Sequence, residues 1–265
     1  MPKPKVIIIR TAGTNCDMET EQAFLLAGAK PSRVHINKLV SGQESLKAYD
    51  ILAIPGGFSY GDDIASGKVL ANELRYELCD QIREFAGAGK PVIGICNGFQ
   101  VLVKAGLLPG FDIIDQGLQA TLSFNDSAKF EDRWIYLKPV KSKCLWTKGV
   151  NKVITLPVAH GEGKFIPKDR KVLDRLKKNG QIVLQYTDEK GRPAKYPANP
   201  NGSVENIAGI CNPAGNVFGL MPHPERHLSS YNHPRHTRLK LPETGDGLPL
   251  FKNAVEHVKS RSKHV

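Results

Sequence analysis

The chain has 265 residues, of which 40% are hydrophobic, and it carries a formal net charge of +11 at pH 7. This length is sufficient for one large domain or two small ones, each with a complete hydrophobic core. No run of about 18 apolar residues is present, which excludes a membrane-spanning helix. Residues 1–5 lead directly into an apolar strand, which leaves no room for a signal peptide. We therefore expect a soluble, cytoplasmic protein.

The positive charge is distributed along the chain. Lysine and arginine recur at 164–178 and at 252–263, without interleaved aromatic residues and without a recognisable nucleic-acid-binding module. A solvated basic surface is the expected result, and neither a nucleic acid nor a membrane is predicted as a partner. A basic face that docks an acidic protein is the alternative that the composition leaves open.

The first hundred residues alternate between predicted strands and helices. Continuous apolar runs at 6–9, 51–54 and 92–95 are typical of strands that are buried on both faces of a parallel sheet. A helix is predicted over 17–26, and a second helical stripe ends at Gly87 and consists of Leu70, Leu74, Leu78, Ile82 and Phe85. This order predicts an α/β fold with a doubly wound, mostly parallel sheet and helices on both faces.

From about residue 117 the pattern changes to shorter strands, which predicts a mixed edge or layer of the sheet. These strands are expected at 117–123, 134–137, 153–158 and 182–186. A helix is expected at 169–178, a long turn at 193–203 and a closing helix at 248–258. No linker requires a second domain, so we predict a single domain over residues 1–265 with a C-terminal extension from about residue 228.

The candidate nucleophile is Cys96, which lies directly after the strand at 92–95 and before a helical pattern. Gly94 and Gly98 flank it at two residues on either side and leave room for a sharp strand-to-helix turn. Such a turn presents the thiol at the positive end of the next helix, which favours the thiolate. A buried structural cysteine is the alternative for this residue type.

The candidate base is His223, which is held between two prolines in a segment predicted to be extended. In an extended segment, residues two positions apart face the same side, so Glu225 is expected to reach the ring of His223. The glutamate then orients the imidazole and stabilises its charged form, while the other ring nitrogen serves Cys96. The sequence therefore predicts a catalytic triad of Cys96, His223 and Glu225.

Acyl transfer also requires donors for a developing oxyanion. The strand at 51–54 runs into Pro55-Gly56-Gly57, where glycine lets the backbone expose its N–H groups without strain. We predict that the amides of Gly57 and Asn97 form the oxyanion hole, Asn97 being the residue after the nucleophile. Both follow the carboxyl ends of predicted parallel strands, where doubly wound sheets bind their ligands.

These motifs resemble the class I, triad-type glutamine amidotransferases, on the strength of residues 55–57, 94–100 and 223–225. A narrower resemblance is to the glutaminase subunits of phosphoribosylformylglycinamidine synthase. The stretches that carry it lie at 14–17, 56–62, 160–163, 199–203 and 221–226, in the order that the family shows. The resemblance implies a flavodoxin-like amidotransferase fold.

The resemblance also implies a reaction and a partner. The expected reaction is hydrolysis of L-glutamine through a thioester on Cys96, with the ammonia passed to a large synthetase subunit, with or without a small accessory subunit. ATP and magnesium are expected on that synthetase, because the chain has no phosphate-binding loop and no dinucleotide fingerprint. No cofactor is expected on this chain. By resemblance alone, Asn15 and Asp17 border the ammonia route or the synthetase interface.

Three further residues are predicted to bind the substrate. Gln100 lies one turn beyond Cys96 on the same helix face, and in similar amidotransferases the glutamine at this position contacts the substrate. His160 and Gly161 stand in a Gly-containing stretch that permits close approach of the backbone to a ligand. A surface glutamine and a structural histidine are the alternatives.

Other chemistries compete with the triad. The five cysteines are scattered and odd in number, which indicates neither a disulfide framework nor a zinc site. Four histidines, His223, His227, His233 and His236, lie close together, but prolines interrupt the spacing that a metal site needs, so no metal is predicted. A related cysteine hydrolase or peptidase with the same elbow, and a catalytically silent binding module, are the other functions that the sequence permits.

Overall fold

The computed structural model describes residues 2–111 and 117–261. Within them, the strands are β1 (Lys5–Arg10), β2 (Lys30–His35), β3 (Ile51–Ile54), β4 (Val92–Ile95), β5 (Ala120–Ser123), β6 (Glu131–Pro139), β7 (Ile154–His160), β8 (Lys164–Pro167), β9 (Ile182–Thr187), β10 (Ile207–Cys211) and β11 (Val217–Leu220). The α-helices are α1 (Asp17–Leu26), α2 (Ile36–Val40), α3 (Lys68–Tyr76), α4 (Cys79–Gly87), α5 (Asn97–Lys104), α6 (Arg170–Lys178) and α7 (Leu248–Arg261).

Nine strands form one sheet in the order β2-β1-β3-β4-β11-β10-β9-β6-β7. The first five run parallel to one another, and each remaining pairing is antiparallel. The apolar runs predicted at 51–54 and 92–95 coincide with β3 and β4, and every residue of both strands is buried. A separate antiparallel pair is formed by β5 and β8.

The direction of the crossovers places helices on both faces of the sheet. The chain moves from β1 outward to β2 through α1, and in the opposite direction from β3 to β4 through α3 and α4. Right-handed crossovers that run in opposite directions put their helices on opposite faces. The predicted doubly wound class is confirmed, with an antiparallel extension along one edge.

The helical stripe predicted to end at Gly87 is divided between two helices, which corrects the prediction of one continuous helix. The break falls between Tyr76 and Cys79, where Leu78 has φ −125° and ψ 6°. All five apolar side chains of the stripe remain buried. Each of the two helices buries one face, so apolar residues recur at the same spacing on both sides of the break. The spacing alone therefore does not reveal that the helix is interrupted.

The second half follows the predicted order with shifted boundaries. The strands expected at 134–137 and 153–158 are longer, since β6 and β7 pair over seven residues. Asp169 caps α6 by accepting a hydrogen bond from the Val172 N–H at 2.9 Å, which begins the helix one residue later than expected. Residues 193–203 contain no helix or strand, as expected. In the described ranges, no helix is both long and apolar enough to cross a membrane.

Candidate active site

The predicted reacting groups meet at one edge of the parallel half of the sheet. Gly57 follows β3, Cys96 follows β4 and His223 follows β11, and these three strands are direct neighbours. Their parallel direction brings all three carboxyl ends to the same edge. The fold therefore collects, from positions far apart in sequence, the groups proposed as nucleophile, base and oxyanion donor.

Cys96 occupies the strained turn that the flanking glycines permit. Its φ of 50° and ψ of −105° lie outside the regions that L-residues normally adopt. A Cβ atom on Gly98 would overlap the carbonyl group of Ile54, and one on Gly94 would overlap the Gly98 carbonyl. The Cys96 Sγ lies 3.6 Å from the Ala159 carbonyl oxygen, at the end of β7. The elbow is thus packed too closely for any other residue at the two glycine positions.

His223 and Glu225 form a buried pair. The Nδ1 of His223 lies 2.6 Å from the Glu225 Oε1, and each residue is 2% exposed. The other ring nitrogen, Nε2, is buried without a hydrogen-bond partner among the described residues, which leaves it for Cys96. Burial opposes protonation, but the charge of Glu225 and the interaction with the Cys96 thiol raise the pKa of His223 well above its usual value. The pair is suited to carry a proton.

The route by which Glu225 reaches the ring differs from the predicted one. His223 is extended, with φ −104° and ψ 90°, but residues Pro224–Arg226 form a single 3₁₀ turn. Pro224 restricts the residue before it to extended geometry, and its own φ suits the first position of a helical turn. The expectation of an extended segment through Glu225 is therefore wrong, although the contact it was meant to explain is present.

The two predicted oxyanion donors have free amide groups. Neither the Gly57 N–H nor the Asn97 N–H donates to an acceptor within residues 2–111 and 117–261. The Cys16 N–H donates to the Gly56 carbonyl at 3.2 Å. Because the C=O and N–H of a trans peptide point in opposite directions, this bond turns the Gly57 N–H away from the Cys16 loop. Gly57 has φ 146°, and a Cβ there would strike the backbone of residues 13–15.

The side chain of Asn97 ties the loop after β3 to the start of α5. Its Oδ1 accepts from the Ser59 N–H at 3.2 Å, and its Nδ2 donates to the Asp62 Oδ1 at 2.8 Å and to the Gln100 Oε1 at 3.0 Å. Burial raises the pKa of Asp62, while hydrogen bonds from Ser66, Gly67 and Asn97 oppose that rise. The Asn97 side chain therefore connects the loop that begins with Gly57 to the start of α5, where the second predicted oxyanion donor lies.

The predicted substrate contacts lie beside this network. The Gln100 Nε2 donates to the Glu162 carbonyl at 2.6 Å, so Gln100 links α5 to the loop that contains Gly161. His160 lies beneath that loop, with Nδ1 3.1 Å from the Asn125 Oδ1 and Nε2 3.4 Å from the Asn201 Nδ2. Burial lowers the pKa of His160 to about 3. The ring is neutral and engaged on both nitrogens, which gives His160 a supporting position under the loop.

Two residues near the triad carried no predicted role. Cys16 follows β1 and is 1% exposed, with its Sγ 4.0 Å from the His223 Nδ1. The Arg226 Nη2 donates to this sulfur at 3.2 Å, and its Nε lies 3.3 Å from the Glu19 Oε1. Burial raises the pKa of the Cys16 thiol. Only the resemblance at 14–17 marked this position, because nothing in local spacing connects residue 16 to residue 223.

The structure also places Asn15 and Asp17. The Asn15 Oδ1 accepts from the Cys16 thiol at 3.1 Å, and Asp17 pairs with Arg33 at 3.3 Å. These contacts hold the loop between β1 and α1 in place. An ammonia route or an interface at these two residues stays a prediction.

The histidine-rich segment does not gather into a metal centre. The His227 Nδ1 lies 2.7 Å from the Thr155 carbonyl oxygen, and the rings of His227 and His233 pack against Trp134. Across the described ranges, the group with metal-ligating atoms close enough to hold an ion is instead Cys16, His223 and Glu225.

Comparisons with known proteins agree with this geometry. The family described as the CobB/CobQ-like glutamine amidotransferase domain matches residues 3–258. Phosphoribosylformylglycinamidine synthase subunit PurQ of Dehalococcoides mccartyi is 48% identical, over 97% of this chain and 98% of the relative. The protein of that name from Treponema denticola is 50% identical, over 85% of this chain and 89% of the relative.

Solved structures show the same likeness. A chain in the structure of PurLQS from Thermotoga maritima is 31% identical, with a TM-score of 0.73 over 97% of this chain and 99% of that chain. A glutamine amidotransferase from Thermotoga maritima, at 17% identity and a TM-score of 0.52, shares the fold. The chain belongs to the glutamine amidotransferases and, within them, to the family of phosphoribosylformylglycinamidine synthase subunit PurQ.

Proposed function

We propose that this chain hydrolyses L-glutamine to glutamate and ammonia and that it passes the ammonia to a partner synthetase. The partner converts formylglycinamide ribonucleotide to formylglycinamidine ribonucleotide in purine biosynthesis. The observation that carries the proposal is the buried His223–Glu225 pair, at 2.6 Å, beside the strained Cys96 elbow. The relatives that match along almost the whole chain bear the name of a subunit of this synthase.

The first half of the reaction forms a thioester. The Cys96 sulfur attacks the side-chain amide carbon of glutamine, and the proton of the thiol moves to the His223 Nε2. The negative charge that develops on the amide oxygen is stabilised by the N–H groups of Gly57 and Asn97, a contribution of about 10²–10³ in rate for one such donor. The imidazolium then gives its proton to the leaving nitrogen, and ammonia departs as the C–N bond breaks.

The second half regenerates the enzyme. A water molecule gives a proton to the His223 Nε2 and attacks the thioester carbon through the same oxyanion. The C–S bond breaks, the proton returns to the sulfur and glutamate leaves. Glu225 stabilises the charged imidazole at both stages and fixes its tautomer, since Nδ1 always faces the carboxylate. General acid–base transfer of this kind contributes about 10²–10⁴ in rate.

Substrate recognition is proposed at the loop that follows β7. Gly161 and Glu162 lie between Gln100 and the buried His160, and the amide of Gln100 already holds the Glu162 carbonyl. We assign the amino-acid end of the substrate to the backbone of this loop and to Gln100. His160 supports the loop from beneath, because a Cβ on Gly163 would overlap its ring.

The synthetase supplies the energy for the coupled reaction. We propose that ATP and magnesium bind to that large subunit, that a small accessory subunit joins the complex, and that this chain itself uses no cofactor. The relative with 31% identity is a chain in the structure of PurLQS from Thermotoga maritima, which supports an assembly of this kind. We also propose that the complex works in the cytoplasm.

Two other functions were open from the sequence. A peptidase with the same elbow needs an open cleft for a polypeptide and no synthetase, and a silent binding module needs no oriented histidine. The buried carboxylate at 225 and the near full-length relatives favour the glutaminase over both.

The test is covalent labelling of the complex with an electrophilic analogue of glutamine, followed by peptide mass spectrometry. We expect one label per chain, on Cys96, that excess glutamine prevents. Cys79→Ala is the matched control, because Cys79 lies on α4 and is only partly buried. Labelling of another cysteine, or labelling that glutamine does not prevent, would contradict the proposal.

A further inference from the structure

We propose that Cys16, His223 and Glu225 form an inhibitory site for a thiophilic divalent cation, with Zn²⁺ as the ion that fits best. The bound ion would inhibit the glutaminase by occupying Nδ1, the His223 ring nitrogen that faces Glu225. This inference rests on the proposed function, because it assigns His223 as the base. It concerns a face of His223 opposite to the one that serves Cys96.

The three ligand atoms already lie close together. The Cys16 Sγ, the His223 Nδ1 and a Glu225 carboxylate oxygen are all within 4.8 Å of one another. The sulfur lies 4.0 Å from Nδ1, and Nδ1 lies 2.6 Å from the Glu225 Oε1. Tetrahedral zinc with bonds of about 2.0–2.3 Å holds adjacent ligands about 3.5 Å apart. Side-chain rotations that change these separations by up to about 1.3 Å, and that open the 2.6 Å contact between Nδ1 and Oε1, therefore convert the present arrangement into three zinc ligands.

A second observation points to a ligand at this place. The Glu225 Oε2 is buried and has no hydrogen-bond partner among the described residues. A buried carboxylate oxygen without a partner is costly, because desolvation is not compensated. A cation bound between the carboxylate, the thiolate and the imidazole would satisfy it. The three side chains also represent the donor types that zinc selects, namely sulfur, nitrogen and carboxylate oxygen.

The neighbouring charge is compatible with the ion. Arg226 donates from Nη2 to the Cys16 Sγ at 3.2 Å and so opposes the rise in the pKa of this thiol that burial causes.

A zinc ion on the His223 Nδ1 would stop catalysis because it fixes the tautomer of the ring. A neutral imidazole that binds a metal through Nδ1 carries its proton on Nε2. The nitrogen that faces Cys96 then has no lone pair to accept the thiol proton, so neither half of the reaction can begin. The ion would take the position of the proton that His223 and Glu225 now share. Cys16 is not a reacting group, so a variant at this position separates the metal site from the triad.

The first experiment measures inhibition by Zn²⁺ of glutamine-dependent activity in the assembled complex, with ammonia-dependent activity as the internal control. The variants are Cys16→Ser and, as a second substitution if serine impairs folding, Cys16→Ala. The matched control is Cys79→Ser. We expect Zn²⁺ to inhibit wild type and Cys79→Ser with glutamine but not with ammonia, reversibly by chelator. Removal of one ligand should raise the inhibitory concentration at least about tenfold.

The second experiment measures binding without activity. Co²⁺ replaces Zn²⁺ and reports a thiolate ligand through a charge-transfer absorption band. In Cys96→Ala, which has no reacting thiol, the band should persist with one Co²⁺ per chain. In the double variant Cys96→Ala with Cys16→Ser, it should disappear.

The outcomes separate this site from the triad. Equal sensitivity of wild type and Cys16→Ser would place the ion on Cys96 and overturn the proposal. Loss of the band in Cys96→Ala would overturn it as well, and so would the absence of inhibition in wild type. Each of these results leaves the proposed function intact, whereas a metal-free wild-type complex that does not use glutamine would contradict the proposed function itself.

Discussion

The two halves of the large sheet differ in what they contribute. The parallel half, β2-β1-β3-β4-β11, ends in the loops that carry Gly57, Cys96 and His223. The antiparallel half, β10-β9-β6-β7, contributes the Ala159 carbonyl, the buried His160 and the loop at 161–163. One half therefore holds the reacting groups, and the other forms the opposite wall and supports it. Changes to the reacting groups of the parallel half should affect the chemical step, whereas changes in the antiparallel half should affect stability first.

The largest expected effect is on Glu225 in the parallel half. Glu225→Gln keeps the size of the side chain but removes the charge that stabilises the imidazolium and fixes its tautomer. We expect glutaminase kcat to fall by about 10³–10⁴, as in other triads that lose their carboxylate. The fall in kcat is measured by steady-state kinetics of the complex with glutamine, and the ammonia-dependent reaction is the control. A loss of less than about tenfold would show that the carboxylate does not act on His223.

The second effect tests the packing of the elbow. Gly98→Ala would drive a methyl group into the Ile54 carbonyl, so we expect a loss of about 3 kcal/mol or more in the free energy of unfolding, together with loss of glutamine use. Gly87→Ala is the control, because a Cβ there meets no atom within 4 Å. Urea denaturation compares the two variants. Equal stability of both would mean that the elbow is not tightly packed.

A smaller effect is expected at Asp62, which touches no reacting atom. Asp62→Asn alters the acceptor for the Asn97 side chain, which connects the loop that begins with Gly57 to the start of α5. We expect kcat to fall by about tenfold with little change in KM, because the oxyanion exists only in the transition state. The exposed neighbour provides the control Asp63→Asn. A change in KM alone would assign Asp62 to substrate binding.

The effect that is smallest at neutral pH belongs to the antiparallel half, because it develops only as the pH falls. Burial holds the pKa of His160 near 3, so the folded protein keeps this ring neutral while the unfolded chain protonates it below its ordinary pKa. The contribution of the neutral His160 ring to the free energy of unfolding is therefore complete above about pH 6.5. It decreases as the pH falls toward 3, by at most about 1.4 kcal/mol per pH unit. Urea denaturation from pH 7 to 4 should show a shallower dependence in His160→Gln. An identical dependence would contradict the assignment.

The strands of the parallel and antiparallel halves of the sheet also differ in how well the sequence predicts them. In the parallel half, β3 and β4 are buried on both faces, so their apolar runs marked their full length. Cys96 and Gly57 could be placed because each follows such a run directly. In the antiparallel half, β6 alternates between buried and exposed residues, and only its central part was predicted. Outside β3 and β4, the strands β2, β8, β10 and β11 were not predicted; β2 and β8 have only one buried residue each, so they contain no apolar run.

Contacts between distant segments could not be read from the sequence. The His223–Glu225 contact is local, and the two residue types at that spacing indicated it. The approach of Cys16 to His223 depends on β1 and β11 reaching the same edge of the sheet, which is a property of strand order. Asn97 illustrates both cases: its backbone role follows from its place after the nucleophile, whereas its side-chain bonds to Ser59 and Asp62 required the folded loop.

The most direct test of the account is glutamate release from L-glutamine by wild type and by Cys96→Ala, with and without the synthetase loaded with ATP and formylglycinamide ribonucleotide. We predict release by wild type that increases with the loaded synthetase and no release by Cys96→Ala, whose complex still uses added ammonia. Release of glutamate by Cys96→Ala, or loss of the ammonia-dependent reaction in a complex that still assembles, would contradict the assignment of Cys96 as the nucleophile.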